Sequence, residues 1–132
     1  MFTHTLIQIW QSDNGASFQG TVAVQGGLEV NIDEAIPENS TDLAVAFVAD
    51  VSQLKSLFLL SDKALTIKTN SDSAPDNTIV LAAGVPLIWN NQNGLALTDT
   101  VPAAITADIT ALYVTNTDAA ALKIRALLDP TV

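Results

Sequence analysis

A hydrolytic centre needs a base beside a nucleophile, and this chain has a single histidine, His4, in its opening stretch "MFTHTLIQIWQS". A Ser-His-Asp arrangement would pair that imidazole with a serine on a sharp, strained turn. No G-x-S-x-G stretch occurs, and His4 falls inside a terminal strand pattern, where it reads as a surface or edge-strand residue. Paired carboxylates are the other route to acid–base work. Glu29 and Asp33 share one strand face but stand roughly 13 Å apart, too far for glycoside hydrolysis. Calcium would want several loop oxygens. "NSDSAPDN" gathers Asn70, Asp72, Asp76 and Asn77, and "QSDNG" adds Asp13 and Asn14. Neither stretch has EF-hand spacing, and both are ordinary turn chemistry. Without cysteine there are no disulfides, thiolate metal sites or cysteine nucleophiles. "QGG" has neither the Lys-Ser/Thr nor the helix of a phosphate cradle. The chain reads as a non-enzyme, with no cofactor and no metal.

Contact chemistry is better represented. Trp89 leads into Asn90, Asn91, Gln92 and Asn93. A tryptophan beside amides can stack on a sugar ring while the amides bond its hydroxyls, fill the rim of a core, or enter a subunit contact. Trp10 ends the first strand and has the same choices. Lys123 and Arg125 lie two apart on one face of the last strand and form a small cationic stripe suited to a partner's carboxylates. Trp89–Asn93, Lys123 and Arg125 are the candidate contact residues, for protein or for glycan.

The rest of the chain must position them. Its 132 residues make one domain, long enough to build a core of its own. Apolar residues make up 48% and mean hydropathy is positive, which argues against disorder. Charged residues are only 14%, so the surface must be rich in Thr, Ser, Asn, Gln and Ala. Net charge is −9, and no Lys or Arg precedes Lys55. Phosphate backbones and anionic membranes both repel such a molecule, so nucleic acid and membrane are not expected partners. The opening lacks a signal peptide's basic flank and long apolar run, and 80–89 is too short to span a bilayer. The chain is expected to be soluble and made in a cytoplasm.

Apolar residues alternate with polar ones along most of the sequence. In "LEVNIDEAI", Leu28, Val30, Ile32 and Ile36 share a face opposite Glu29, Asn31 and Asp33; in "FQGTVAVQ", Phe18, Val22 and Val24 share one. Period two means strands, and turn clusters every eight to twelve residues or so mean a sandwich or barrel. Strands are predicted at 4–11, 18–25, 28–36, 43–50, 56–61, 64–69, 78–82, 86–90, 95–98, 110–116 and 120–128. A helical turn is expected at Val51–Lys55 behind Asp50 as its cap, and 103–107 as a loop or short turn. The expected fold is all-β, a single β-sandwich over 1–132 of jelly-roll or related Greek-key topology.

The chain also echoes itself. Asp50, Val51, Ser52 and Leu54 match Asp108, Ile109, Thr110 and Leu112; Asp62, Leu65, Ile67 and Lys68 match Asp118, Leu122, Ile124 and Arg125. Each copy reads as an acid-capped turn followed by a hairpin, one per sheet or side by side.

Four stretches, "HTLIQIWQS", "DVSQLKSLFLLSDKALTIKTNS", "IVLAAGVPLIW" and "DITALYVTNTDAAALKIRALLDP", resemble small virion proteins of tailed bacteriophages. The resemblance implies a capsid decoration or cement protein, a homo-oligomer (dimer or trimer) bound to the major capsid protein on the outer capsid surface. Before assembly it would reside in the host cytoplasm. The group has no motif strict enough to transfer functional residues. The alternatives are a carbohydrate-binding or adhesion module displayed on a particle, and a tail or head-tail connector component.

Overall fold

The computed structural model describes residues 1–92 and 105–130, and within them strands dominate. The elements are β1 (Phe2–Gln11), β2 (Ser17–Gly26), β3 (Leu28–Ile36), β4 (Leu43–Val45), β5 (Leu54–Ser61), β6 (Leu65–Thr69), β7 (Thr78–Leu81), β8 (Leu87–Asn90), β9 (Leu112–Asn116) and β10 (Ala120–Leu128). One 3-10 turn, Val51–Gln53, precedes β5. The strand expected at 95–98 lies outside the described residues.

Eight of these strands form the body, two antiparallel four-stranded sheets in the orders β3-β10-β5-β8 and β4-β9-β6-β7. The sheets pack face to face as a β-sandwich. Alternation dictates which side chains meet between them. Leu57 and Leu59 of β5, Leu87 of β8, and Leu122, Ile124 and Ala126 of β10 point in from the first sheet. Leu65 and Ile67 of β6, Ile79 and Leu81 of β7, and Leu112 and Val114 of β9 meet them from the second. At roughly 1.5–3 kcal/mol for each fully buried aliphatic side chain, this layer is the main driving force for folding. The buried polar side chains are all answered locally: the Ser61 hydroxyl donates to the Lys63 carbonyl, the Thr69 hydroxyl to that of Asn77, and Asn90 accepts from the Gln92 amide.

The two echoed segments are not a pair of hairpins. β5 lies in the first sheet and β6 in the second, whereas β9 lies in the second and β10 in the first. Each copy is therefore a corner that carries the chain from sheet to sheet. The copies pair with each other instead: β5 runs beside β10, and β6 beside β9. Their acid-headed openings touch as well. Ala49 and Ile109 form an isolated bridge, and the Val51 amide donates to the Asp108 carboxylate at 2.9 Å. Asp50 caps the 3-10 turn by accepting from the Ser52 amide and hydroxyl. Those bonds hold its carboxyl below the usual carboxylate range. The turn is shorter than expected because Leu54 and Lys55 already belong to β5.

Two further expectations need correction. The strand expected at 43–50 ends at Val45, although Phe47 and Ala49 still point into the core. More consequential, β1 and β2 join neither body sheet. They form a two-stranded sheet of their own, in register from Phe2 against Gly26 to Gln11 against Ser17.

Candidate functional site

The β1–β2 hairpin is an arm. Ten residues per strand at about 3.4 Å each make it roughly 30 Å long. A five-residue turn closes it, with the Ser12 amide donating to the Ala16 carbonyl at 2.8 Å and Gly15 in the left-handed region at φ +92°. Glycine is needed there because a Cβ disfavours that backbone.

One face of the arm carries Gly26, Val24, His4, Leu6 and Val22, then Gln8, Gly20, Trp10 and Phe18. Its near half lies on the outer side of the first body sheet. Val24 and Leu127 are buried there, yet both stand apart from the sandwich core cluster. Gly26 makes the close approach possible: a Cβ would lie 2.6 Å from the Leu128 carbonyl oxygen and 2.9 Å from Leu127 Cγ.

The far half leaves the body. Beyond Leu6 and Val22 every residue of both strands is exposed. Trp10 and Phe18, directly opposite across the two strands, stack with ring centroids 5.2 Å apart while remaining 52% and 69% exposed. Ile7 and Ile9 are exposed on the other face. Within "FQGTVAVQ" the alternation therefore marks a buried position only at Val24.

Between the arm's near half and the sheet lies a cleft of about 370 Å³. Leu6 and Val24 bound it from the arm, and Phe58, Ile88 and Trp89 from the sheet. Its polar groups are His4, Glu29, Asn31, Ser56, Asn90 and Arg125. His4 bridges arm and sheet: Nδ1 is 3.0 Å from Ser56 Oγ, and Nε2 is 3.3 Å from a Glu29 carboxylate oxygen. Serine, histidine and acid thus stand in a row, but not in a hydrolase's geometry. Ser56 pairs with Leu127 on one side and Asn90 on the other, next to the register shift between Leu127 and Leu128, and the imidazole turns Nδ1 to the serine and Nε2 to the acid, the reverse of a Ser-His-Asp triad. The row acts as a staple. Sequence reading left His4 as a surface or edge residue because Ser56 is 52 positions away.

The candidate contact residues divide. Trp89, Asn90 and Arg125 all line the cleft. Trp89 is only 7% exposed and Asn90 only 3%, so the indole cannot offer its face to a sugar; it fills core space. Asn91 and Gln92 stand exposed at the arm's base, where the Gln92 side-chain amide donates to the Ala23 carbonyl at 3.1 Å. Asn93 lies outside the described residues. Arg125 is committed within the molecule: one nitrogen reaches both Asp33 oxygens at 3.0 and 3.2 Å, the other the Ile32 and Ile124 carbonyls. Lys123 approaches the same Asp33 at 3.9 Å and is half exposed.

The loops considered for calcium are held by amides. Asn70, at φ +71°, donates to Asp76 and to the Asp108 carbonyl and accepts from Thr110. Asn77 exchanges two bonds with Thr106. Among the described residues no three metal-ligating side chains converge, and no helix is long and apolar enough to cross a membrane.

No protein-family model matches the chain, and no curated protein or solved structure is detectably similar to it.

Proposed function

We propose that this chain is a structural component of a larger protein assembly, a cement or decoration protein bound to the outside of a tailed-phage capsid. The single observation that carries the reading is the arm, whose stacked Trp10–Phe18 tip is more than half exposed. An isolated two-stranded ribbon is marginal in water, so a tip of this kind acquires its full stability against another protein. The body fits a passive role, because its inward side chains only fill space and its polar loops bond to one another.

Strand order supports the finer reading of the body as a jelly roll. Counting the eight body strands along the chain, the sheets run 1-8-3-6 and 2-7-4-5. Paired strands thus wind together around the sandwich as two Greek keys, an architecture of capsid and lectin domains. The lectin side of that comparison is not favoured, since Trp89 is buried. A net charge of −9 keeps free copies apart before they assemble.

The test uses particles. Stripping the protein from purified capsids should lower their resistance to heat, wild-type protein should restore it, and a Trp10→Ser/Phe18→Ser variant should restore it poorly. Stripped particles as stable as complete ones would overturn the cement role.

A further inference from the structure

We propose that the arm's partner is a second copy of this chain, with the Trp10–Phe18 tip of one molecule seated in the cleft beneath the arm of the next. The inference rests on reading the arm as an attachment device but not on the capsid. Continuity is the first argument. The stripe that ends at Trp10 and Phe18 is the same one whose near half, Leu6 and Val24, already lies on the outer side of the first sheet. That sheet face is thus a working receptor for this arm's chemistry. Its unfilled part, the 370 Å³ cleft floored by Phe58 and Ile88, is of a size that takes aromatic groups.

Charge is the second argument. The chain carries 14 acids and 5 bases, so two copies repel over most of their surfaces. Residues 1–27 hold one acid, Asp13, and no Lys or Arg. On the receiving face Lys123 and Arg125 both pair with Asp33 and Glu29 faces His4, so two bases stand among two acids. Arm and cleft are therefore two surfaces through which anionic copies can meet without paying like-charge repulsion. Both lie on every copy, so reciprocal exchange or a ring can close the contact, and closure is what keeps the assembly from growing into a filament.

The mass of the full-length chain in solution decides the matter, followed by light scattering across roughly 1–100 µM, where interfaces of moderate affinity dissociate. Wild type is expected to form a closed oligomer. Trp10→Ser and Phe18→Ser sit where the arm is exposed and leave the body intact; each should weaken association about thirtyfold or more, the scale of an interface hot spot. Ile88→Glu, with far-ultraviolet circular dichroism to verify its fold, should do the same from the cleft side. Mixing the Trp10→Ser and Ile88→Glu chains should recover association, because each mixed pair retains one intact tip and one intact cleft. A wild type that stays monomeric across this range overturns the proposal, even if the arm proves necessary for binding capsids. So does an oligomer indifferent to the tip variants, or one broken by them but not by a folded Ile88→Glu chain.

Discussion

At the scale of single residues, Asn70 shows how a side chain that resembles a cation ligand can serve as an internal brace. Its amide nitrogen donates to Asp76 and to the carbonyl of Asp108, and its oxygen accepts from both the amide and the hydroxyl of Thr110. Its backbone sits at φ +71°, a region that asparagine tolerates better than most residues. Two separate costs thus meet at one position, and two substitutions separate them. Asn70→Ala loses the bonds and strains the backbone, and should cost about 3 kcal/mol or more, four bonds at roughly 0.5 kcal/mol or above each plus about 1 kcal/mol for the left-handed backbone. Asn70→Gly loses only the bonds and should be the milder change. Urea midpoints with unchanged slopes would establish the order, and a glycine variant no more stable than the alanine one would refute the strain component.

Elements were largely legible in the sequence because strand alternation is a local signal. The limits of β3 and β10 fall where alternation places them, and β2, β6 and β8 lie within a residue or so of expectation. Connectivity was not legible in the same way. Two similar strand–turn–strand segments look like two hairpins until the partner strands, about sixty residues off, are known to pair across copies. For the same reason "FQGTVAVQ" signals a buried face without saying what buries it. The packing of Gly26 against Leu127 and Leu128 is a contact that only the folded chain creates. Gly26 is where that contact can be tested. Because a side chain there would collide with the Leu128 backbone and with Leu127, Gly26→Val must lift the arm or displace β10. A loss of about 1–3 kcal/mol is expected, the usual cost of overpacking. Gly20, also in β2 but with open space around its would-be Cβ, supplies the control: Gly20→Ala should change the unfolding midpoint little. Equal effects at the two glycines would mean that the arm does not bear on the sheet.

For the whole molecule, the division between arm and body makes a claim about what folds. The sandwich core cluster draws on residues from Ile36 to Leu128, with Val30 and Ile32 packed at its edge, and takes nothing from β1 or β2. Among the described residues the arm's links to the body include the close approach of Gly26 to Leu127 and Leu128, the His4 staple and the Gln92–Ala23 bond. Deleting residues 1–26 therefore exposes one fully buried leucine and breaks a few partly exposed polar contacts, while both four-stranded sheets keep all their strands. Uncovering Leu127 costs about 1.5–3 kcal/mol. A domain of this size typically has about 5–15 kcal/mol to draw on, so the shortened chain should still fold cooperatively, with Trp89 emission remaining that of a buried indole. It should also be monomeric, since the apolar ribbon that reaches past the body has gone. A shortened chain that binds hydrophobic dye and unfolds without a sharp transition would show that the arm belongs to the core. A shortened chain that folds but still associates would place the adhesive surface on the sandwich, with Val48, Val80 and Val85 as the exposed aliphatic residues to substitute next.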